Sequence, residues 1–220
     1  WEHPYKFDVI CRPDLIPEGT QVVNNLQLGR VLTGEQELKV PIKSMMCWNT
    51  NPVTQSTETD KIIQGLSRED LFLVSADHFI SDTAAYADIL LPASMGAEME
   101  DMILSWGHLY LTYNSKCVES PGEAIPNNEI FRRLAKRLGF KEDNFQWNDE
   151  ECLQNYVDWD SPACQGIDLA YMKKHGYARL TVGTKDNRAP HKEGNFPTPS
   201  GKCEFRVVGA KNFVAGPFRQ

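Results

Sequence analysis

The sequence predicts an α/β fold: an open, mainly parallel sheet with helices on both faces in a Rossmann-like three-layer arrangement, plus a helical and irregular C-terminal part. Three compact apolar runs at 42–48, 71–75 and 89–91 predict buried strands, and the second run has no polar alternation. Segments with helical spacing or helix-capping residues separate them. A β-α-β-α-β order with short turns indicates parallel strands joined by right-handed crossovers and covered on both faces.

Composition and charge are those of an ordinary soluble globular chain, and they exclude several functional classes. The 220 residues are 41% apolar and 24% charged, with a formal charge of −7. No apolar run approaches the roughly 18 residues that a membrane span needs. Acidic residues dominate 69–115 and basic residues dominate 173–220. Because nucleic-acid binding requires a basic domain with interleaved aromatic residues, we expect no nucleic-acid partner and no membrane span.

We expect three segments along the chain. Residues 1–40 contain scattered Pro and Gly and predict an irregular N-terminal segment with one short helix. Residues 41–140 hold the repeated strand and helix patterns and predict an α/β domain. Residues 141–220 predict a helical extension and a linker that returns with a short strand. Trp1 opens the sequence without an initiator Met or a leader, so we expect a piece of a longer chain.

Turn and cap residues mark the ends of the elements inside the α/β domain. The first strand stops at the turn-forming cluster 49–52, and apolar residues at helical spacing follow at 61–66. After the second strand, Ser81 is a suitable cap for a short helix through Ala87. Pro92 ends the third strand. The three strand ends therefore lead into loops at one edge of the predicted sheet.

The pattern changes beyond the third strand. Alternation at 109–113 predicts an antiparallel or edge strand. An amphipathic stretch from Asn127 predicts a helix with a basic outer face, ended by Gly139 as a C′ glycine. The remaining predicted segments are helices at 149–159 and 168–175, a loop at 185–201 and a strand at 203–208.

Polar residues at the strand ends are the candidate binding groups, because ligands of open parallel sheets bind outside the carboxyl ends of the strands. Asn51 follows the first strand, Asp77 follows the second, and a loop at 92–101 follows the third. An Asp can accept two parallel hydrogen bonds from the ring N–H and exocyclic amine of guanine, and an Asn both donates and accepts. The structural alternatives are an Asx-turn before Pro52 for Asn51, and a helix cap or turn for Asp77.

Other candidates for chemistry carry less weight. Glu98, Glu100 and Asp101 could form a hard-metal site, but a solvated acidic loop is the simpler interpretation. His78 and His108 are candidates by residue type, and such histidines are more often local hydrogen-bonding groups than catalysts. The sequence lacks the phosphate-loop, dinucleotide, nucleophile-elbow and zincin motifs. It therefore predicts a ligand-binding α/β domain without a visible catalytic residue.

Six cysteines are too sparse for a disulfide framework. None is spaced as C-x-x-C, and none pairs with His at zinc-finger spacing. Several lie in apolar runs, where Cys behaves as a small hydrophobic residue. We expect reduced, structural cysteines and assign none to a metal.

A series of strings, taken in order, resembles the middle of molybdopterin oxidoreductases of the dimethyl sulfoxide reductase family. Each string alone is weak evidence, but their order and spacing across residues 41–208 are specific. The strings are W-N-T-N-P at 48–52, L-S-R-E-D-L-F at 66–72, the run from Asp77 to Pro92 with S-D-T-A at 81–84, W-G-H-L-Y-L at 106–111, P-G-E-A at 121–124 and T-P-S-G-K at 198–202.

The resemblance implies that the α/β domain at 41–140 holds one half of a bis-molybdopterin guanine dinucleotide cofactor, which carries molybdenum. Family cofactor contacts map onto Asn51, Ala76, Asp77 and Asn127, with Asp77 as the guanine acceptor. No catalytic residue and no metal ligand map onto this chain. The resemblance implies that the molybdenum ligand and any iron–sulfur cluster lie upstream of this region, and that a barrel domain lies downstream.

The sequence thus predicts part of a molybdenum-dependent oxidoreductase that is inactive as an isolated fragment. The implied partners are the remaining domains of the same enzyme and an electron-transfer subunit, in the cytoplasm or periplasm of a prokaryote. The alternative is a non-catalytic α/β module that binds a nucleotide or a partner protein. A family member that performs non-redox hydration at the metal is a third interpretation.

Overall fold

Two three-stranded sheets organise the chain in the computed structural model, which describes residues 4–104, 107–182 and 191–204. The first sheet is parallel and the second antiparallel. The strands are β1 (Ser44–Trp48), β2 (Phe72–Asp77), β3 (Ile89–Pro92), β4 (Asp101–Leu104), β5 (Tyr110–Asn114) and β6 (Tyr177–Arg179). The helices are α1 (Phe7–Cys11), α2 (Leu28–Leu32), α3 (Pro52–Gln55), α4 (Thr59–Leu66), α5 (Asn127–Leu138), α6 (Asp149–Tyr156) and α7 (Leu169–His175).

The parallel sheet confirms the predicted α/β class. Its order is β1-β2-β3, with Trp48 opposite Ala76 and Asp77 opposite Pro92. The predicted helix between β2 and β3 is a single 3-10 turn at Ala84–Tyr86, because the short connection has room for one turn only. All three strands end at the same edge, as the chain pattern predicts.

One face of this sheet carries the first hydrophobic core. Residues 45, 47 and 73 of the strands point toward α2 and α4, and the core also includes buried Leu32 and Ile62. Gly65 of α4 lets α2 approach closely, because a Cβ atom there would lie 2.3 Å from the Cβ of Leu32. Burial of these apolar side chains stabilises the half of the chain that positions the strand ends.

Arg68 ties the start of β1 to this core. Its guanidinium donates hydrogen bonds to the carbonyls of Leu32 and Ile42, at 3.0 and 3.2 Å. Asp70 accepts from the same guanidinium and from Lys43. These two cations hold the pKa of the Asp70 carboxyl well below its usual range.

Helix α5 contacts the opposite face of the parallel sheet. Trp48 at the end of β1 packs edge-to-face against Phe131, with ring centroids 4.9 Å apart. Gly139 follows α5 with φ +83°, the left-handed conformation expected of a C′ glycine. The predicted helix and its end are therefore confirmed.

The antiparallel sheet differs from the prediction in two strands, β4 and β6, which the sequence pattern did not predict. The alternating run at 109–113 is confirmed as β5. Its partner β4 begins at Asp101, the last residue of the predicted loop at 92–101. Asp101 begins β4, and its charge favoured the prediction of an acidic loop. The next residue, Met102, is buried together with Leu111 in a second hydrophobic core. β6 completes the sheet by pairing with β5, so this sheet joins residues on both sides of the predicted boundary at 140.

The C-terminal part is helical and irregular, as expected. The helix predicted at 149–159 ends at Tyr156, where Val157 bridges to Tyr5. The helix predicted at 168–175 begins one residue later as α7, because Asp168 is its N-cap and accepts from the Tyr171 N–H. Residues 191–204 form turns and bends. Most of the predicted strand at 203–208 lies outside the described residues. Within the described ranges, no helix is long and apolar enough to cross a membrane.

Candidate functional site

A polar cleft of about 160 Å³ lies at the carboxyl edge of the parallel sheet. The space corresponds to about five water molecules, enough for a planar ring system and too small for a whole dinucleotide. All four predicted binding residues line it, although they come from the ends of two strands and the start of α5. The lining residues are Asn49, Thr50, Asn51, Gln55, Ala76, Asp77, His78, Ala93 and Asn127.

Asn51 precedes α3, but its side chain does not cap that helix. Its Oδ1 accepts hydrogen bonds from the Oγ1 of Thr83 at 2.6 Å and from the backbone N–H of Thr83 at 3.2 Å. The Asx-turn alternative is therefore not what the structure adopts. Gln55 holds the Asn51 backbone, because its Oε1 accepts from the Asn51 N–H at 2.8 Å.

Asp77 ends β2 and forms local hydrogen bonds that fix its carboxylate. Oδ1 accepts from the backbone N–H of His78 at 2.7 Å, and Oδ2 accepts from the hydroxyl of Ser81 at 2.8 Å. The predicted turn role is thus present. A carboxylate offers about four acceptor positions, so each oxygen keeps capacity for a further donor.

Asn127 reaches the cleft through an extension of the sheet beyond β3. Ala93 forms a parallel bridge with Ile125, and Ser94 donates its N–H to the carbonyl of Ile125 at 3.0 Å. This pairing brings the start of α5 to the strand ends. The Oδ1 of Asn127 is buried and has no hydrogen-bond partner among the described residues. An unpaired buried acceptor is costly, and a donor on a bound ligand would remove that cost.

Ala76 forms part of the cleft wall at the end of β2. The residue is 4% exposed and lies in the ladder between Trp48 and Leu91.

His78 lines the cleft and also acts as a local hydrogen-bonding group, as the sequence suggested. Its Nε2 lies 3.0 Å from the carbonyl oxygen of Ser94. Because a carbonyl only accepts, Nε2 carries the proton, and Nδ1 is the acceptor in the neutral ring. The contact joins the loops after β2 and β3.

The wall of the cleft consists mostly of hydrogen-bonding groups. Asp77 is the one carboxylate in its described wall, and no Lys or Arg side chain lines it. Its groups supply acceptors at Asp77 and Asn127, and a donor amide at Asn51. Sequence reasoning did not identify Gln55 or Thr83, because their contribution depends on hydrogen bonds to Asn51 that no local pattern reveals.

The weaker candidates are satisfied elsewhere. Glu98 accepts from the Met95 N–H at 3.0 Å, and Glu100 accepts from the hydroxyl of Tyr113 at 2.8 Å. Asp101 accepts from the Met102 N–H at 2.7 Å, while burial raises the pKa of its carboxyl. No group of three metal-ligating side chains occurs within the described ranges.

The six cysteines are free, and three of them are buried. Burial raises the pKa of the Cys47 thiol and of the Cys164 thiol to about 11. Because the thiolate is the reactive form, these side chains behave as apolar core residues. This arrangement agrees with the expected structural role.

Comparison with known proteins identifies the family. The profile of the Molybdopterin oxidoreductase family matches residues 15–137, more than half of the chain. The probable oxidoreductase YoaE of Bacillus subtilis (strain 168) is 38% identical over 91% of this chain and 29% of its own length. The probable dimethyl sulfoxide reductase chain YnfF of Escherichia coli (strain K12) is 31% identical over 93% of this chain and 27% of its own length.

A solved structure supports the same assignment. Acetylene hydratase from Pelobacter acetylenicus superimposes with a TM-score of 0.62 and 25% identity, over 82% of this chain and 24% of that protein. The chain therefore spans less than a third of the length of the relatives named here. The family resemblance seen in the ordered strings is confirmed, and the chain belongs to the molybdopterin oxidoreductase family.

Proposed function

We propose that this chain is a cofactor-binding part of a molybdenum-dependent oxidoreductase, and that its cleft holds the guanine end of one half of a bis-molybdopterin guanine dinucleotide. The observation that carries the proposal is the convergence of Asn51, Ala76, Asp77 and Asn127 on one cleft at the strand ends. Family membership implies a molybdenum–pterin cofactor, and the guanine dinucleotide form is our inference from the groups that line this site.

The hydrogen-bonding groups of the cleft fit a guanine edge. Guanine presents two adjacent donors and one acceptor, and Asp77 retains acceptor capacity on both carboxylate oxygens. Asn51 has its Oδ1 engaged by Thr83, which leaves its Nδ2 as a donor for the acceptor atom. The unpaired Oδ1 of Asn127 offers a further acceptor. Adenine, with one ring acceptor and one amine on that edge, would leave more of these groups unpaired.

The chain's own residues bind and orient in this proposal. When bound, the cofactor supplies the two-electron chemistry at molybdenum. Asp77 and Asn51 would hold the nucleotide end in a fixed orientation through hydrogen bonds. We propose that the chain alone is inactive, and that other domains of the enzyme, acting with an electron-transfer subunit, complete the reaction centre in the cytoplasm or the periplasm.

A second candidate function is hydration at the metal without net redox change. An acetylene hydratase from Syntrophotalea acetylenica is 29% identical over 77% of this chain, and the solved relative carries the same name. The proposed nucleotide contacts serve either reaction equally, because they lie at the end of the cofactor that only anchors it.

The test uses the full-length protein with Asp77→Ala and Asp77→Asn. Hydrogen bonds to a charged acceptor contribute enough that we expect roughly a tenfold or greater loss of affinity for guanosine diphosphate, with lower molybdenum and guanine content per protein. Metal analysis, nucleotide release and circular dichroism measure occupancy and fold. Asp82→Asn is the matched control, since Asp82 is exposed on the same connection. Normal molybdenum and guanine content in both Asp77 variants would refute the assignment.

A further inference from the structure

Thr83 is a fully buried polar residue beside the cleft that the proposed contacts do not include. It lies on the connection between β2 and β3 and is 0% exposed. Its hydroxyl accepts a hydrogen bond from the Val53 N–H at 3.0 Å and donates one to the Oδ1 of Asn51 at 2.6 Å. Its backbone N–H also donates to that oxygen, at 3.2 Å. Thr83 thus joins the loop after β2 to the loop after β1.

These hydrogen bonds fix which way the Asn51 amide faces. A backbone N–H can only donate, so the atom of Asn51 next to it must be the oxygen. The hydroxyl of Thr83 accepts from the Val53 N–H and donates its single proton to the same oxygen. If the amide turned over, its NH₂ group would face the Thr83 N–H, which cannot accept, and the hydroxyl would lose the acceptor of its proton; a buried donor without an acceptor is costly.

The consequence is that Nδ2 of Asn51 points away from Thr83. Within the described residues, that nitrogen donates no hydrogen bond, and Asn51 lines the cleft. A donor that is already oriented before the ligand arrives loses little conformational entropy on binding. Thr83 itself is not among the residues that line the cleft, and its contact with the cleft wall is through Asn51.

We propose that Thr83 is a positioning residue: it locks the Asn51 side chain so that its NH₂ group is presented to a hydrogen-bond acceptor of the bound nucleotide. This inference rests on the proposed function, because it takes Asn51 as a nucleotide contact. It adds a buried residue whose hydroxyl helps to determine which end of the Asn51 amide faces the ligand.

The experiment is a double-mutant cycle in the cofactor-free full-length protein, with guanosine diphosphate as the probe and calorimetric titration as the measurement. Thr83→Val keeps the shape and removes the hydroxyl, whereas Thr83→Ser keeps the hydroxyl. Asn51→Ala removes the amide, and Thr83→Val with Asn51→Ala completes the cycle. Thermal unfolding of each variant reports the structural role of the hydrogen bond from Val53.

We expect Thr83→Val to bind guanosine diphosphate about fivefold more weakly than the unmodified protein, and Thr83→Ser to restore most of that loss. In the Asn51→Ala background, Thr83→Val should have no further effect on the dissociation constant. The unfolding temperature should fall with Thr83→Val in both backgrounds, because the Val53 N–H loses its acceptor in each. An affinity effect that disappears in the Asn51→Ala background, beside a stability effect that persists there, distinguishes positioning of Asn51 from general stabilisation.

Other outcomes overturn the inference in distinguishable ways. If Asn51→Ala weakens binding and Thr83→Val does not, Thr83 has only a structural role and the proposed function stands. If Thr83→Val weakens binding equally in both backgrounds, Thr83 does not act through Asn51. If Asn51→Ala and Asp77→Asn both bind guanosine diphosphate as the unmodified protein does, the proposed function fails and this inference fails with it.

Discussion

The parallel and antiparallel sheets use their polar residues differently. At the carboxyl edge of β1–β3, polar side chains from separate loops converge on one cleft, and three of them keep unused hydrogen-bonding capacity, Asn51, Asp77 and Asn127. Around β4, by contrast, Glu100 is bonded to the hydroxyl of Tyr113 and Asp101 to the Met102 N–H, and neither lines this cleft. Carboxylates alone therefore do not mark a site; polar groups that converge on one cleft do.

The difference follows from strand direction. In a parallel sheet, all carboxyl ends lie at one edge, so the loops after them meet regardless of their distance along the chain. In the antiparallel sheet, adjacent strands end on opposite sides, so the loops that follow them do not meet at one edge. The parallel half thus collects the binding residues, while the antiparallel half contributes a packed core around Leu111 and Met172.

The largest effect that tests this division is on stability. Leu111→Ala in the centre of β5 should lower the free energy of unfolding by about 3 kcal/mol, because Leu111 is fully buried. Urea unfolding measures this, and Leu134→Ala, at an exposed position of α5, is the control. Binding of guanosine diphosphate well below the unfolding temperature should be unchanged. A loss of affinity as large as that of Asp77→Ala would mean that the cleft depends on the second sheet.

A smaller effect is expected in the parallel half. Gly65→Ala places a methyl group 2.3 Å from the Cβ of Leu32, so α2 and α4 must separate. The strain should exceed the gain in helix propensity and lower the free energy of unfolding by about 2 kcal/mol. Gly96→Ala is the matched control, since a Cβ at Gly96 meets no atom within 4 Å. Equal unfolding temperatures for the two variants would show that the helices do not pack through Gly65.

The parallel half could be predicted because its signals are local. Consecutive apolar residues, a turn cluster and Pro92 mark each strand within a few positions, and the strand-end rule then selects Asn51 and Asp77. Ala76 and Asn127 came from family resemblance alone, since an alanine and a first-turn asparagine have no distinguishing local pattern. The structure places all four on one cleft, and their role in binding stays a prediction.

The antiparallel half was harder to predict because its determinants are distant in sequence. β4 is a four-residue strand that begins with Asp101, and only its pairing with β5 and the burial of Met102 make it a strand. Thr83 escaped prediction for the same reason: it contacts Asn51, which lies 32 positions earlier. Its place in the S-D-T-A string between the second and third strands was the one available signal.

The smallest expected effect is the pH dependence caused by Asp101. Burial raises the pKa of its carboxyl, so the folded protein binds this proton more tightly than the unfolded chain does. The stabilisation is therefore present at acidic pH and is lost as the pH rises through the folded pKa. Asp101→Asn keeps an acceptor for the Met102 N–H and stays neutral, so it should unfold at a slightly higher temperature than the unmodified protein at pH 7.

That gain should vanish below about pH 4, where the unmodified carboxyl is also protonated. Thermal unfolding between pH 3.5 and 7 in about half-unit steps measures the difference, with exposed Asp82→Asn as the control. If Asp101→Asn instead lowers the unfolding temperature at pH 7, the ionised carboxylate is itself a stabilising group. In that case the ionised Asp101 carboxylate would stabilise the antiparallel half, and the contrast between the two sheets would not apply to this residue.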